Sequence, residues 1–63
     1  MKKDLRVIKT KANLQGALIE LLQNKELDKI TISELCKKAN VNRGTFYLHY
    51  QDIAGLFEEY FHD

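Results

Sequence analysis

The sequence predicts an all-α fold, in which a three-helix helix-turn-helix domain is followed by the start of a fourth, linking helix. Three observations predict it. The 63 residues contain no proline and only three glycines, so little interrupts a helix. Apolar residues recur at i, i+3, i+4, i+7 and i+8, and no run alternates with the period of two that a strand requires. Two helical segments are separated by three turn-forming residues, which is the spacing of a helix-turn-helix.

The first helix is marked by Leu14, Ala17, Leu18, Leu21 and Leu22, which make one apolar stripe that must be buried. Asp4 and Thr10 are both candidate caps for its start, and Val7 and Ile8 extend the apolar face upstream. Asn24 and the charged stretch KELDK end it. The second helix is announced by TISE: Thr31 caps the backbone, and Glu34, three residues on, reaches back to complete a capping box. Ile32, Leu35, Cys36 and Ala39 form its buried face over about two turns, leaving Ser33, Lys37 and Lys38 outside. Asn40 follows, one of the few residues besides glycine that adopts the left-handed conformation of a helix stop. Val41 plugs the turn, and Asn42 caps a third helix beginning at Arg43. The fourth helix starts at Asp52 and carries Ile53, Leu56, Phe57, Tyr60 and Phe61, a wide aromatic stripe for so small a body. Residues 1–10 read as a basic N-terminal arm or a helix extension, and residues 11–63 as the helical domain, ending within the fourth helix.

The third helix carries NVNRGTFYLHY, with four bulky side chains in its last five positions. At about 100° per residue, Phe46 and Tyr50 fall on one line, the core face. Gly44 and Leu48 fall opposite, with Thr45 and Tyr47 on the flanks and His49 beside Thr45. Ordinary exposed helices use Lys, Glu, Gln or Ala. A single exposed leucine needs no explanation, but one flanked by hydroxyls, an imidazole and a bare glycine suits a surface that touches something. DNA accounts for the combination: thymine methyls accept apolar contacts in the major groove, and base edges accept from short hydroxyls such as that of Thr45. Tyr47 and His49 donate to phosphates from the margins, and Arg43 with the helix N-terminus adds positive potential.

One domain is the most that this length allows, and a chain of this size buries only about 60% of its unfolded surface. Cys36 is the single cysteine, so no disulfide forms, and a lone thiol suits a reducing cytosol. It reads as a small buried residue, because no metal-ligand spacing accompanies it. The opening MKKDLRVIKTK lacks the apolar core of a signal peptide, and no run approaches the roughly eighteen apolar residues of a membrane span. A soluble cytoplasmic protein with no membrane partner is expected. Net charge is +1, but unevenly spread: residues 1–11 hold five Lys and Arg against Asp4, while residues 51–63 hold four acids and no Lys or Arg. The basic end is either an arm that binds polyanions or a solvated terminus.

The run from about Lys11 to Phe57 resembles the N-terminal DNA-binding domain of TetR-type bacterial transcriptional regulators, chiefly through ITISELCKKANVNRGTFYLHYQD. The phrase GTFYLHY ahead of a fourth amphipathic helix is specific to that family. The resemblance implies a ligand-responsive repressor that binds double-stranded DNA at a palindromic operator. It further implies that a larger C-terminal domain, absent from this sequence, forms the homodimer and binds an inducer. Carried over by position, it places Thr31, Ile32 and Ser33 at the DNA backbone, with Ser33 contacting it or a base. Asn42, Arg43, Gly44, Thr45, Tyr47, Leu48 and His49 fall where the recognition helix meets DNA. Two departures stand out. Asn40 occupies a position usually held by glycine, and Ile53 replaces a lysine that commonly contacts a phosphate. One fewer neutralised phosphate lowers the magnitude of the salt slope by about 0.9.

A different class of function is a helical protein-interaction module, in which Ile53, Phe57, Tyr60 and Phe61 bind a partner helix. An enzyme is not expected: there is no paired-carboxylate cleft, phosphate loop or nucleophile constellation, and no cofactor or metal is implied. His49 and His62 lie thirteen residues apart with no ligand cluster around them, and His62 reads as an ordinary polar residue.

Overall fold

The computed structural model describes residues 5–61, which fold into helices and turns with no strand among them. The possible cap at Asp4, the arm residues Lys2 and Lys3, and His62 lie outside the described residues. Helix α1 runs Leu5–Leu22, α2 Ile32–Ala39, α3 Arg43–His49 and α4 Ile53–Phe61. A single 3₁₀ turn, Leu27–Lys29, stands between α1 and α2. No helix among the described residues is long and apolar enough to cross a membrane.

Helix α1 begins upstream of Thr10, so Thr10 lies inside it and is not its cap. Leu14, Ala17 and Leu18 are buried, Leu21 and Leu22 pack at the edge of the core, and α2 and α4 lie against this face. The upstream extension is only partial: Val7 is half-buried, whereas Ile8 is exposed. After Leu22 the chain turns through Gln23 and Asn24. The 3₁₀ turn, closed by Lys29 N–H donating to Glu26 O at 2.9 Å, then delivers Ile30 into the core. No periodicity in the sequence marks either that turn or Ile30.

Helix α2 starts as the capping box predicts. Thr31 Oγ1 accepts from Glu34 N–H at 3.1 Å, and Glu34 Oε1 accepts from Thr31 N–H at 3.4 Å. It ends at Asn40, whose φ of 59° and ψ of 44° are left-handed. Asn40 N–H donates to Lys37 O and Val41 N–H to Cys36 O, at 3.2 and 2.9 Å. These are the paired bonds of a Schellman stop, and they leave Val41 tucked half-buried against the core. Leu35, Cys36 and Ala39 are buried, while Ile32, expected on that face, is half-buried at its rim. Phe46 is the largest fully buried side chain, packed with Leu14, Leu18, Leu35 and Leu56.

Helix α4 is capped by Asp52 Oδ1, which accepts from Gly55 N–H at 2.9 Å. Ile53 and Leu56 are buried and Phe57 is half-buried, but Tyr60 and Phe61 are exposed. Ile53 therefore belongs to the core and drops out of the expected partner-binding stripe.

Candidate nucleic-acid interface

The orientation of α3 follows from its two ends and one anchor. Asn42 is extended and its Oδ1 accepts from Gly44 N–H at 3.0 Å and Thr45 N–H at 3.4 Å. Two of the unpaired donors at the start of α3 are thereby satisfied. The cap changes what the site offers: those N–H groups are spent within the protein, and the free face of the Asn42 amide is its Nδ2 donor. Phe46, fully buried, fixes the rotation of the helix about its axis.

The opposite face is consequently turned to solvent. Leu48 is 79% exposed, the most exposed large apolar side chain among the described residues, and Tyr47 is 50% exposed. Arg43 and Gly44 are also exposed, with Thr45 and His49 half-buried at the flanks. Thr31 and Ser33, at the start of α2, are exposed as well. Tyr47 stands edge-on to Phe46, ring centroids 5.5 Å apart, which steadies the half-exposed ring. Gly44 has no unusual φ. Its role is space: a Cβ there would press on Asn42 Oδ1 at 3.3 Å and would stand between the helix and anything approaching it.

Tyr50 departs from the helical-wheel reading. The helix ends at His49 and Tyr50 is extended, φ −141° and ψ 151°, yet it remains buried. Its hydroxyl donates to Glu59 Oε1 on α4. Glu59 Oε2 also takes Lys11 Nζ from α1 at 3.3 Å, and Lys11 Nζ lies 5.6 Å from the centroid of the Tyr50 ring. Burial, reinforced by the adjacent carboxylate, pushes the Tyr50 hydroxyl well above its ordinary value. The Tyr50 hydrogen bond, outweighing partial burial and aided by Lys11 and the field of His49, lowers the Glu59 carboxyl. Sequence reasoning gave Glu59 no role, because its partners lie nine and 48 residues away.

Ion pairing decides which cations remain available. Lys25 donates to Glu34 at 3.0 Å, lowering the Glu34 carboxyl, and Lys38 pairs with Glu20 at 3.1 Å. With Lys11 on Glu59, three lysines are occupied. Arg43 and Lys37, both exposed, make no ion pair among the described residues, and Lys37 lines a shallow hollow with Asn40, Val41 and Asn42 beside the start of α3. Lys37 is thus, among the described residues, an exposed cation without an ion-pair partner beside the start of α3, and it is not one of the site residues expected from the sequence. Cys36 is buried and its thiol is pushed up by that burial, with Arg43 opposing. Ile53, where the family resemblance puts a lysine, spends its side chain on the core and supplies no charge.

The family model for bacterial regulatory proteins of the tetR family matches residues 16–60. Over 52 residues, 82% of the chain, it is 36% identical to the uncharacterized HTH-type transcriptional regulator YxbF of Bacillus subtilis (strain 168), and it covers 14% of that protein. Over 40 residues, 64% of the chain, it is 50% identical to the uncharacterized HTH-type transcriptional regulator YvdT of the same strain, covering 21% of it. The chain therefore spans only a small part of the length of these relatives. No solved structure matches it.

Proposed function

The chain belongs to the tetR family of bacterial regulatory proteins, and from that premise we propose that it is the sequence-specific DNA-binding head of a transcriptional regulator. The observation that carries the proposal is the outward face of α3, where a bare leucine 79% exposed is set between Gly44, Thr45, Tyr47 and His49 on a helix rigidly capped by Asn42. Gly44 lets the helix sit deep in the major groove. Leu48 packs on thymine methyls and Thr45 donates to a base edge. Arg43, Tyr47, His49 and the Nδ2 of Asn42 hold phosphates or base acceptors, and Thr31 and Ser33 meet the backbone across the groove. The regulator acts in the cytoplasm as a homodimer on a palindromic operator. Its dimer contacts and inducer site lie in a C-terminal domain beyond this sequence, and inducer binding relieves repression.

Fluorescence anisotropy tests the proposal, using a duplex enriched by the protein from a random pool and a scrambled counterpart across a salt series. The enriched duplex binds more tightly, and Thr45→Ala with Leu48→Ala abolishes most of the difference, each good base contact being worth about 1–3 kcal/mol. Absence of binding to either duplex at low salt overturns the proposal, as does a double variant that discriminates like the parent.

A second reading, a helical interaction surface, is favoured by the end of α4. Tyr60 and Phe61 are 42% and 54% exposed, the Phe61 ring packs tilted against Phe57 with centroids 4.4 Å apart, and Phe61 shares a shallow groove with Ile19 and Leu22 of α1. Self-association in sedimentation runs that Phe61→Asp abolishes, with DNA binding retained, assigns this face to protein contact and leaves α3 to DNA.

A further inference from the structure

We propose that Glu59 is a positioning residue for the recognition helix, clamping the C-terminal end of α3 to α1 and α4 through Tyr50 and Lys11. The inference rests on the DNA-binding reading of α3. Helix α3 has seven residues, too few to hold a helical conformation without tertiary support. Its N-terminal end is fixed by the Asn42 cap and by the Schellman stop of α2 just before it. At the C-terminal end the chain leaves the helix at Tyr50, one residue beyond His49 and two beyond Leu48. There the polar tie to α4 is the Tyr50 hydroxyl on Glu59.

The tie is a closed triangle. Glu59 accepts from Tyr50 and from Lys11, and Lys11 faces the Tyr50 ring, so each member constrains the other two. The Lys11–Glu59 pair is solvent-exposed and contributes little by itself. The hydrogen bond from Tyr50, a buried residue whose hydroxyl lies in a part-buried contact, contributes more, because a partly desolvated hydroxyl left unpaired is costly. When the clamp opens, the Leu48 and His49 end of α3 shifts relative to the Asn42 end, and base contacts that require both ends in register weaken.

Charge and positioning predict opposite results, which makes the role separable. Removing the Glu59 carboxylate takes a negative charge away from a surface that faces phosphates and frees Lys11, so electrostatics alone strengthens binding to any duplex. A positioning role weakens binding to the enriched duplex only. Glu59→Ala and Tyr50→Phe are therefore each expected to lower affinity for the enriched duplex about fivefold, with scrambled-duplex affinity unchanged or, for Glu59→Ala, raised. The two effects do not add in the double variant, and Glu59→Gln, which keeps an acceptor for the Tyr50 hydroxyl, recovers most of the loss. Amide hydrogen exchange supplies a readout independent of DNA. The Tyr50 N–H, bonded to Phe46 O at 2.9 Å, loses protection in Tyr50→Phe and Glu59→Ala while amides of α2 keep theirs. Folded variants that bind the enriched duplex as tightly as the parent overturn the inference, as do equal losses on both duplexes or a Glu59→Gln that behaves like the alanine. If the parent binds no duplex, the DNA reading falls alone, and unchanged exchange at Tyr50 is then what overturns the clamp.

Discussion

Asn42 caps α3 through its amide oxygen, and the proposed function gives its amide nitrogen to DNA; substitutions separate the two. Its oxygen holds the backbone of Gly44 and Thr45, and the residue is exposed. Asn42→Ala removes both atoms and is expected to cost about 1 kcal/mol of stability, read in urea as a lower midpoint with an unchanged slope. Asn42→Ser restores a capping oxygen, so stability returns, but supplies no amide donor, and affinity for the enriched duplex stays low. If serine restores affinity together with stability, the residue is a cap and nothing more. Gly44 is tied to the same capping oxygen: its missing Cβ leaves room for the cap at 3.0 Å from the Gly44 nitrogen and keeps the outward side of α3 bare.

Gly16 shows the contrast at the level of an element. It sits exposed within α1, and a Cβ built there meets nothing within 4 Å. Gly16→Ala should therefore stabilise α1 by up to about 1 kcal/mol, raising the melting temperature by roughly 4–8 °C, and DNA binding should not change. A melting temperature that stays put would mean that the α1 backbone is already as constrained without the methyl. The elements that sequence alone located are those set by contacts a few residues apart: the Thr31–Glu34 box, the Asn40 stop, the Asn42 cap and the 3.6-residue stripes. The solvent-facing set of α3 was legible for the same reason, since Phe46 fixes the wheel and places Gly44 and Leu48 opposite. What escaped was set by packing between distant segments. Ile30 is a lone apolar residue after a charged stretch, with no periodicity to announce it. Tyr50 kept its place in the core by leaving the helix, and Glu59 found partners that no local pattern links to it. Thr10 looked like a cap only because the apolar stripe appeared to begin near it, whereas the helix runs on upstream through residues with weaker burial.

At the scale of the whole molecule, ion pairs among the described residues join separate segments, among them Lys11 with Glu59, Lys25 with Glu34 and Lys38 with Glu20. Two of the carboxylates, the Tyr50 phenol and the Cys36 thiol, which burial also raises, contribute to the pH dependence of stability. Folding lowers the Glu34 and Glu59 carboxyls from their ordinary value of 4.5. Below that value the unfolded chain binds protons that the folded one resists, so their contribution is complete above pH 4.5 and is lost as pH falls through the folded values. Tyr50 works in the other direction. Its hydroxyl is raised from 10.0, so below that pH both states are protonated and the stabilisation is whole. Above it the unfolded chain releases a proton that the folded one keeps, and stability declines. Thermal melts between pH 3 and pH 11 should therefore give a plateau with two falling flanks. The flanks have different owners: Glu59→Gln shallows the acid side, and Tyr50→Phe shallows the alkaline side. Since Glu59 itself contributes to raising Tyr50, Glu59→Gln should also soften the alkaline flank, whereas a change at Glu34 should leave that flank alone. An alkaline flank identical in the parent and in Tyr50→Phe would show that the buried phenol does not couple to folding, and that α3 is held at its C-terminal end by packing of the ring alone.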